Sequence, residues 1–523
     1  MALSGILWTS TSGLQAVQQQ LQWRTDNISN AQNPSYARRD AVTTSTGVDS
    51  VQVDVARASD SGLQNQFLTS NSQSSFSTTQ LGYFQRIGDV LGTTQSTPYL
   101  QQAVDNFTGS WKAFETDTSS TSSEADVVST GQALADTISH TSQNLDQVES
   151  EVRDDVGNSV NGLNAKLKQL DAINKQLSSE PLASSIDPSL LDTRDSLVRD
   201  ISATVGVVQI THSDNSVALY TNGGVALVDH GANQFQWNSP AGSQPWISLV
   251  NTTGAAAPSP SLNSEFTGGS LGAGLGVLDS SPAALASNDP KVGVIVKARA
   301  QVDNLAVQLA GQEPGTFGGA YYNATTDRTT DLTGGGTNGA GNPNQSYWGT
   351  PPNIVTGSTT NPAPPANWDG TPLSSFFTID NGTTGPPPTA PTLSPSGSFA
   401  INPALVDGTA TVKRQSATPV IAAMTDADNS MTAGGVAVSN QTYSGLASAI
   451  ANYQSTSQAA VSNDSTSNSQ TTQTLDTRLN SATGVNMDTE MAQLTVLQNA
   501  YAANARVITT VQTMFDALMA IGQ

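Results

Sequence analysis

The sequence predicts a multidomain α+β protein that is mainly α-helical with β insertions, and three observations support this prediction. Apolar residues recur at helical spacing near both ends of the 523-residue chain and across residues 61–177. A two-residue period within residues 202–250 predicts a β-hairpin subdomain among the helices. From residue 313 to 399 the composition is dominated by Gly, Pro, Thr, Asn and Ser, which predicts an outer insertion of loops and β-structure.

The two ends of the chain carry matching apolar stripes. In each stripe the apolar residues follow one another at steps of three and four, so they share one face of a helix that needs a partner. The first helix is predicted over residues 2–32, and the last one begins after Asn486, which is placed to cap it. We expect these N- and C-terminal helices to pair as a coiled coil, with Ser10, Arg24 and Gln498 setting its register. The predicted assembly interface comprises Leu7, Leu14, Val17, Leu21, Asn27, Ile28, Asn30, Leu494, Leu497, Tyr501, Ile508, Val511, Phe515 and Leu518.

The predicted domain map follows from these patterns. It consists of an inner coiled-coil assembly domain (1–60 and 470–523), a helical second domain (61–312 and 400–469) with its β-hairpin region near 202–250, and the outer insertion (313–399). Aromatic residues such as Trp348, Phe376 and Phe377 favour a small folded β insertion over a wholly disordered linker, because aromatic side chains bury large areas. We expect a short linker to be able to replace residues 320–395.

Breaks in the periodic pattern divide the helical domain. Helical spacing across residues 61–177 is interrupted near Pro98 and at the Ser/Thr run 118–123. A short helix is predicted from Leu190 to Ile201. After it, two apolar runs flank an Asn-Gly turn at residues 222–223, which predicts a β-hairpin.

The elements after this hairpin are predicted from weaker signals. Trp237 and residues 246–250 are expected to continue the hairpin sheet. The glycines at 268–276 predict a turn into a short helix, and residues 291–312 read as a further helix. Helix is expected to resume near Ser439 and to run, with breaks, to the end of the chain.

Composition excludes several classes of function. The formal net charge of −22 disfavours binding to nucleic acid and to anionic membranes, both of which attract Lys and Arg. Cysteine is absent, so disulfides, thiolate metal sites and cysteine nucleophiles are excluded together. No run of about 18 apolar residues predicts a membrane span. Residues 1–20 also lack the basic and apolar regions of a secretory signal.

No pattern predicts a catalytic, cofactor-binding or metal site. The three histidines, His140, His212 and His230, do not have the spacing of metal ligands. Residues 268–272 fit the G-x-S-x-G pattern, but no histidine follows Ser270 to complete a hydrolase triad in its usual order. Residues 426–437 begin like a calcium loop but lack its glycine and its final glutamate. We therefore expect a non-enzymatic protein.

Four segments of the chain carry recognisable motifs. Residues 27–31, Asn-Ile-Ser-Asn-Ala, followed by Pro-Ser-Tyr at 34–36, resemble the N-terminal signature of bacterial flagellar axial proteins, a family that includes hook-associated members. Residues 484–518 resemble the C-terminal end of the hook-associated members, and Leu190–Val198 with Val205–Val207 resembles an internal block. A weaker match is Phe376–Phe377 with residues 401–405. At Ser35 the family usually has glycine; if this turn needed a positive φ, serine would adopt it at a cost.

The resemblance implies a structural subunit at the junction between hook and filament. It implies paired terminal helices in an inner tube, self-association in a ring or tube, and contacts with hook protein and with the second hook–filament junction protein. It also implies an export chaperone at the C-terminal helix, an extracellular location in the flagellum, and type III export without a cleaved signal peptide. The pair Arg194–Asp195 would then fix its helix against the hairpin, although an ordinary surface ion pair is an equal alternative.

Two alternative functions remain open at the level of the sequence. The first is another axial protein, such as a hook, rod or flagellin-like subunit, which the block at residues 190–198 and its following hairpin disfavour. The second is a secreted adhesin or enzyme whose activity lies in residues 315–400. Convergent polar groups with perturbed pKa values around a pocket in that insertion would favour the second alternative.

Overall fold

The fold is built mainly from long α-helices. The computed structural model describes residues 2–45, 51–93, 97–117, 120–179, 187–240, 243–250, 260–309, 355–356, 376–379, 399–408, 411–412, 417–427 and 429–521. The helices are α1 (Ala2–Ser29), α2 (Ser61–Leu91), α3 (Tyr99–Thr116), α4 (Thr121–Ser179), α5 (Pro188–Thr204), α6 (Gly269–Leu278), α7 (Pro282–Ala286), α8 (Val294–Leu309), α9 (Pro403–Val406), α10 (Ala417–Thr425), α11 (Tyr443–Thr483) and α12 (Met487–Ile521). The predicted mainly helical class is confirmed.

The strands form small antiparallel sheets. They are β1 (Arg39–Ser45), β2 (Val51–Arg57), β3 (Val207–Thr211), β4 (Val217–Thr221), β5 (Ala226–Val228), β6 (Phe235–Asn238), β7 (Trp246–Leu249), β8 (Val355–Thr356), β9 (Phe377–Ile379), β10 (Phe399–Ile401), β11 (Thr411–Val412), β12 (Asn429–Ala433) and β13 (Val436–Gln441). Strands β3, β4 and β5 form one three-stranded sheet, and the others pair in twos. The predicted hairpin near residues 202–250 is therefore present as β4–β5, with β3 added on its outer side.

Local sequence sets the ends of the helices. Asp60 caps α2 by accepting a hydrogen bond from the backbone N–H of Leu63 at 2.9 Å. Helix α2 ends at Gly92, whose φ of 69° lies in the left-handed region that glycine adopts without strain. Thr442 caps α11 through the N–H of Gly445 at 3.0 Å. The predicted breaks near Pro98 and at 118–123 coincide with the gaps that separate α2, α3 and α4.

Helix α4 lies at the centre of the helical body, the part of the protein that begins with α2 and ends with α11. Its 59 residues extend over about 88 Å at 1.5 Å per residue. The predicted stripe along this helix is buried throughout, at Val148, Val152, Val156, Val160, Leu163, Leu167 and Leu170. Asn174 near its end bonds both backbone groups of Val217 in β4, and Asn164 bonds those of Phe235 in β6. The small sheets are thus held on α4 by amide side chains.

An aromatic cluster corrects the predicted outer insertion. Phe376 is 0% exposed and its ring centroid lies 5.3 Å from that of Phe107 in α3. Phe377 stacks on Phe399 with ring centroids 4.8 Å apart. Phe376, Phe377 and Phe399 were assigned to an outward-facing segment, but they belong to the core of the helical body. Only the residues at 355–356, 376–379 and 399 of that segment are described, so the rest of the prediction lies outside the described residues.

Three other predictions need correction. Strands β6 and β7 pair with each other and do not continue the β3–β5 sheet. Gly268 and Gly269 form the predicted turn with positive φ, but the following glycines lie inside α6, where a Cβ at Gly274 would lie 2.4 Å from Val156. The predicted helix start near Ser439 is replaced by the hairpin β12–β13, and α11 begins at Tyr443. The hairpin has a Gly434–Gly435 turn with positive φ at both residues, a signal of the type I′ turn.

The predicted inner boundary at residue 470 falls inside a continuous helix. Helix α11 runs unbroken from Tyr443 to Thr483 and lies antiparallel to α2: Thr472 contacts Ser70, while Ser465 contacts Thr78. The polar side chains of residues 465–474 form hydrogen bonds along α11 and between α11 and α2. The chain bends instead at residues 484–486, between α11 and α12.

Candidate assembly site at the joint of the terminal helices

Helices α1 and α12 lie against each other in antiparallel orientation. Near one end of the pair, Arg24 Nη1 lies 3.0 Å from Glu490 Oε2. Farther along, Gly13 faces Asn504, whose Nδ2 would lie 3.4 Å from a Cβ at residue 13. Residue numbers therefore rise along one helix as they fall along the other. The pair meets the body of the protein at a buried polar network. We call this network the joint; its central residues are Arg24, Asn27, Tyr36 and Glu490.

Asn27 is the centre of the joint. Its side chain is 0% exposed and uses both of its polar atoms. Oδ1 accepts hydrogen bonds from Tyr36 Oη at 2.8 Å and from the backbone N–H of Arg39 at 3.0 Å. Nδ2 donates to the Arg39 carbonyl at 3.0 Å and to Glu490 Oε2 at 3.2 Å. One amide thus joins α1, the segment after it, and α12, because an amide offers two donors and an acceptor oxygen.

Glu490 is the acidic partner of the joint. The guanidinium of Arg24 donates to both of its carboxylate oxygens, at 3.0 and 3.1 Å, and also to Asp40 at 3.3 Å. Glu490 is 1% exposed. A carboxylate so deeply buried requires charged and hydrogen-bonded partners, since an unpaired one would cost several kcal/mol. These partners come from α1, so the position of α12 depends on that of α1.

The bend between α11 and α12 is tied to the same network. The backbone N–H of Arg38 donates to the carbonyl of Thr483 at 2.7 Å. Asn486 then caps α12, as predicted, by accepting hydrogen bonds from the N–H groups of Asp488 and Thr489 at 3.1 and 3.2 Å. The start of α12 is therefore fixed both by its cap and by the segment between α1 and β1.

Helix α5 attaches the joint to the body. Asp192 accepts hydrogen bonds from the backbone N–H of Ala37 at 3.3 Å and from Arg57 Nε at 2.7 Å. Arg57 also reaches Asp195 through Nη1 at 2.8 Å. All these groups are largely or fully buried. Strand β2 and the segment before β1 are thus attached to α5 by one arginine and two carboxylates.

The pair Arg194–Asp195 connects α5 to the hairpin on its other side. Arg194 Nη1 donates to the carbonyl of Asn215, at the turn between β3 and β4, at 2.5 Å. Its Nε and Nη2 donate to Asp195 at 2.9 and 2.7 Å. Both side chains are buried, at 6% and 7% exposure, so the interpretation as an ordinary surface ion pair is wrong. The pair fixes α5 against the hairpin.

The turn at Ser35 does not need glycine. The positive φ values at described non-glycine residues are those of Asn215 and Asn440, so Ser35 carries no such strain. The N–H of Ser35 donates to Asn33 Oδ1 at 3.1 Å, which is an Asx turn. The preceding Pro34 carbonyl accepts a hydrogen bond from Arg199 of α5 at 3.3 Å. The departure from the usual glycine is therefore compatible with the fold.

The phenol of Tyr36 is held in its neutral form. Burial raises the pKa of Tyr36 to about 12, against a smaller opposing effect of the Arg39 guanidinium. Arg39 lies over the ring with its Cζ 4.9 Å from the centroid. The neutral hydroxyl can therefore donate to Asn27 throughout the physiological pH range.

The predicted interface residues are covered to different extents within one chain. Asn27, Val17 and Val511 are buried, whereas Tyr501 and Phe515 are each 37% exposed. The half-buried members are Leu7, Leu14, Leu21, Ile28, Asn30, Leu494, Leu497 and Ile508; the side chain of Leu518 lies outside the described residues. Their role in assembly stays a prediction.

Sequence reasoning missed most of the joint. Arg24 was assigned only to the register of the coiled coil, and Glu490, Asp192 and Arg57 were given no role at the joint. A charged residue within or beside an apolar stripe is the signal that could have marked Arg24 and Glu490, because a buried charge needs a partner. Their partners could not be read from spacing, since they lie hundreds of residues apart.

Among the described residues there is neither a group placed to bind a metal nor a helix suited to span a membrane. Within them no group of three His, Asp or Glu side chains is arranged to hold a metal ion. None of the described helices is both long and apolar enough to cross a membrane. The joint is a structural arrangement of charges and amides.

Two family models match parts of the chain. A family described as the flagellar hook-associated protein FlgK helical domain matches residues 84–313, from the end of α2 past α8. A second, the C-terminal region of flagellar basal body rod FlgEFG proteins, matches residues 479–521, which contain α12. Over these regions the chain is similar to flagellar hook-associated protein 1. The resemblance found in the sequence is thereby confirmed.

Flagellar hook-associated proteins match the chain over part of its length. Flagellar hook-associated protein 1 of Bacillus subtilis (strain 168) is 24% identical over 43% of this chain and 47% of its own. The protein of the same name from Escherichia coli (strain K12) is 24% identical over 51% of this chain and 52% of its own. The chain thus spans about half the length of these curated relatives. The flagellar hook junction protein FlgK from Burkholderia pseudomallei has a solved structure that is 24% identical, with a TM-score of 0.40 over 47% of this chain and 42% of that chain.

Proposed function

We propose that this chain is a structural, non-enzymatic subunit of the bacterial flagellum that forms the junction between hook and filament. Its similarity to flagellar hook-associated protein 1 supports this proposal. The observation that carries it is the joint, in which Asn27 and Glu490 attach an antiparallel pair of terminal helices to a large helical body. A subunit that transmits force between two tubes needs such a rigid attachment between its assembling ends and its body.

The joint defines a path for mechanical load. Force on the terminal pair passes through Arg24 and Glu490 to the segment that follows α1. From there Arg57 and Asp192 carry it to α5, and Arg194 carries it to the hairpin. Buried charge-assisted hydrogen bonds suit this role because they are directional and about twice as strong as neutral ones.

Exposed apolar residues on the terminal helices support assembly with other chains. Val496, Met514 and Met519 of α12 are 66%, 53% and 67% exposed, and Trp8 of α1 is 70% exposed. Large exposed apolar side chains on one helix pair indicate a surface that an assembly covers. In our proposal the terminal helices form a coiled coil in the wall of a ring or tube of identical subunits. Hook protein and the second hook–filament junction protein lie on either side of that ring.

Before assembly, this exposed apolar surface has to be shielded from water by another protein. We propose that a flagellar export chaperone binds α12 and that the chain leaves the cell through the flagellar type III apparatus without cleavage of a signal peptide. In the revised domain map, residues 1–60 and 484–523 form the inner assembly domain, and the body includes Phe376–Ile379 and Phe399–Ile401. We further propose that the rest of the segment 313–399 is the outer insertion.

Electron microscopy of cells that lack this chain tests the function. We expect hooks without filaments, release of filament subunits into the medium, and restoration of filaments by the wild-type gene. Loss of the hook itself would indicate a rod or hook subunit instead. Normal filaments on cells without the chain would contradict the proposal and would favour a secreted adhesin or enzyme.

A further inference from the structure

Strand β3 is an exposed edge of its sheet. In the order β3-β4-β5 it lies at the end, and no other described strand pairs with its outer edge. Val207 at its start is 7% exposed, whereas Val208 and Ile210 are each 49% exposed. Such a strand presents a row of backbone N–H and C=O groups that can pair with another strand.

The exposed face of β3 is apolar and carries no protection. Val208 lies opposite Tyr220 of β4, and Ile210 lies opposite Ala218, so alternate side chains of β3 share one face. Edge strands are usually protected by charged residues or proline, which discourage pairing. Strands β3 and β4, Val-Val-Gln-Ile-Thr and Val-Ala-Leu-Tyr-Thr, contain neither.

Two features of β3 indicate that the partner is a second copy of the same chain. The first is local charge: although two copies with a net charge of −22 repel each other overall, β3 and β4 contain no charged residue, so this edge adds no repulsion of its own. The second is self-complementarity. If two β3 strands pair antiparallel about Gln209, Val208 of one copy lies opposite Ile210 of the other, and β-branched residues suit such cross-strand pairs.

We propose that β3 is a docking edge for the β3 strand of a second copy, in antiparallel register about Gln209. The contact is isologous and joins two three-stranded sheets into one of six strands. Because only a few residues take part, it is weak and forms at high local concentration. It involves the body and not the terminal helices, so it goes beyond the proposed function and does not depend on it.

Disulfide trapping tests this register on the purified full chain. The natural sequence has no cysteine, so single variants report one position each. Chains carrying Val208→Cys are mixed with chains carrying Ile210→Cys under mild oxidation, and the rates of dimer formation are compared on non-reducing gels. Directly opposed Cβ atoms lie about 5 Å apart, and diagonal ones about 7–8 Å, so we expect the mixed dimer to form at least about tenfold faster than either homodimer.

Equal rates for the mixed dimer and the homodimers, or no dimers beyond those of a control with Val406→Cys, would overturn the proposal. Val406 is 51% exposed and lies on α9, away from the strand edge. Sedimentation of the cysteine-free chain gives a second measure. Ile210→Lys should shift the sedimentation of concentrated protein toward the monomer, whereas Val406→Lys should leave it unchanged. Unchanged sedimentation for Ile210→Lys would likewise overturn the proposal.

Discussion

Glu490 of α12 accepts hydrogen bonds through both carboxylate oxygens from Arg24 of α1, although 466 residues separate them in the chain. This contact joins the two terminal helices at the level where they meet the body. Asn27, one helical turn after Arg24, donates to the same carboxylate and connects it to the segment at Tyr36 and Arg39. The stability of the joint therefore depends on a few buried polar groups.

Replacing Glu490 with glutamine should loosen the joint without unfolding the body. Glutamine has the same shape but no charge, so Arg24 loses its buried anionic partner, at a cost of about 1.5–3 kcal/mol. We expect the amides of the first turns of α12 to exchange hydrogen about 10- to 100-fold faster. Asp488→Asn, at an exposed position in the same turn, is the matched control and should leave exchange unchanged. Equal exchange in both variants would mean that Glu490 does not hold α12.

Asn27→Asp tests the amide at the centre of the joint. Aspartate keeps the acceptor oxygen for Tyr36 but loses both donated hydrogen bonds and places a second negative charge beside Glu490. We expect the free energy of unfolding of the terminal region to fall by about 2–4 kcal/mol. Gln22→Glu adds the same charge on the exposed face of α1 and should change it by less than about 0.5 kcal/mol. Limited proteolysis at the end of α1 measures the difference, and similar cleavage of both variants would refute the role given to Asn27.

The extent to which the sequence predicted this site can be explained in physical terms. Helix α1, the stripe of α4 and the cap at Asn486 follow from local periodicity and local hydrogen bonding, so they were predictable. The contact between Arg24 and Glu490 depends on the whole fold, and no local pattern encodes it. Phe376 and Phe377 were assigned to the wrong layer because their neighbours are Gly, Pro and Thr, while their burial is decided by the distant α3. The β12–β13 hairpin was missed despite its Gly434–Gly435 turn, because helical patterns before and after it were extended across it.

Alkaline pH should weaken the joint through Tyr36. Its pKa is raised to about 12 in the folded chain, whereas an unfolded phenol titrates near 10. Between these values the folded state binds more protons than the unfolded state, so the free energy of unfolding falls as pH rises through that window. Below about pH 10 this contribution is constant.

The variant Tyr36→Phe isolates this contribution. It loses one hydrogen bond at every pH, but its unfolding free energy should decline less steeply above about pH 10 than that of the wild type. Ultraviolet absorbance titration should also show one fewer tyrosine ionising late. Tyr83, whose pKa is likewise raised to about 12 by burial, remains as an internal reference. Identical slopes in the two proteins would show that Tyr36 ionises as an ordinary surface phenol.

Phe376→Ala should destabilise the helical body. This side chain is fully buried against Phe107 and Trp111, and truncating such a phenylalanine costs about 3–5 kcal/mol. Thermal unfolding of the main transition measures the loss. Val406→Ala, at a residue that is 51% exposed, should shift the melting temperature little. A normal melting temperature for Phe376→Ala would restore the original assignment of this segment to an outer insertion.

The central claim is that the stripe on α12 holds the assembled junction while the body folds independently of it. Ile508→Asp tests this claim most directly, because it places a charge on the stripe, whereas Thr509→Asp places the same charge on the exposed neighbouring position. The measurement is the fraction of hooks that carry attached filaments, counted by electron microscopy in cells that express each variant. We expect Ile508→Asp to be soluble, with a near-normal main melting transition, but to leave hooks bare, and Thr509→Asp to support filaments. Wild-type filament attachment in cells with Ile508→Asp would contradict the account.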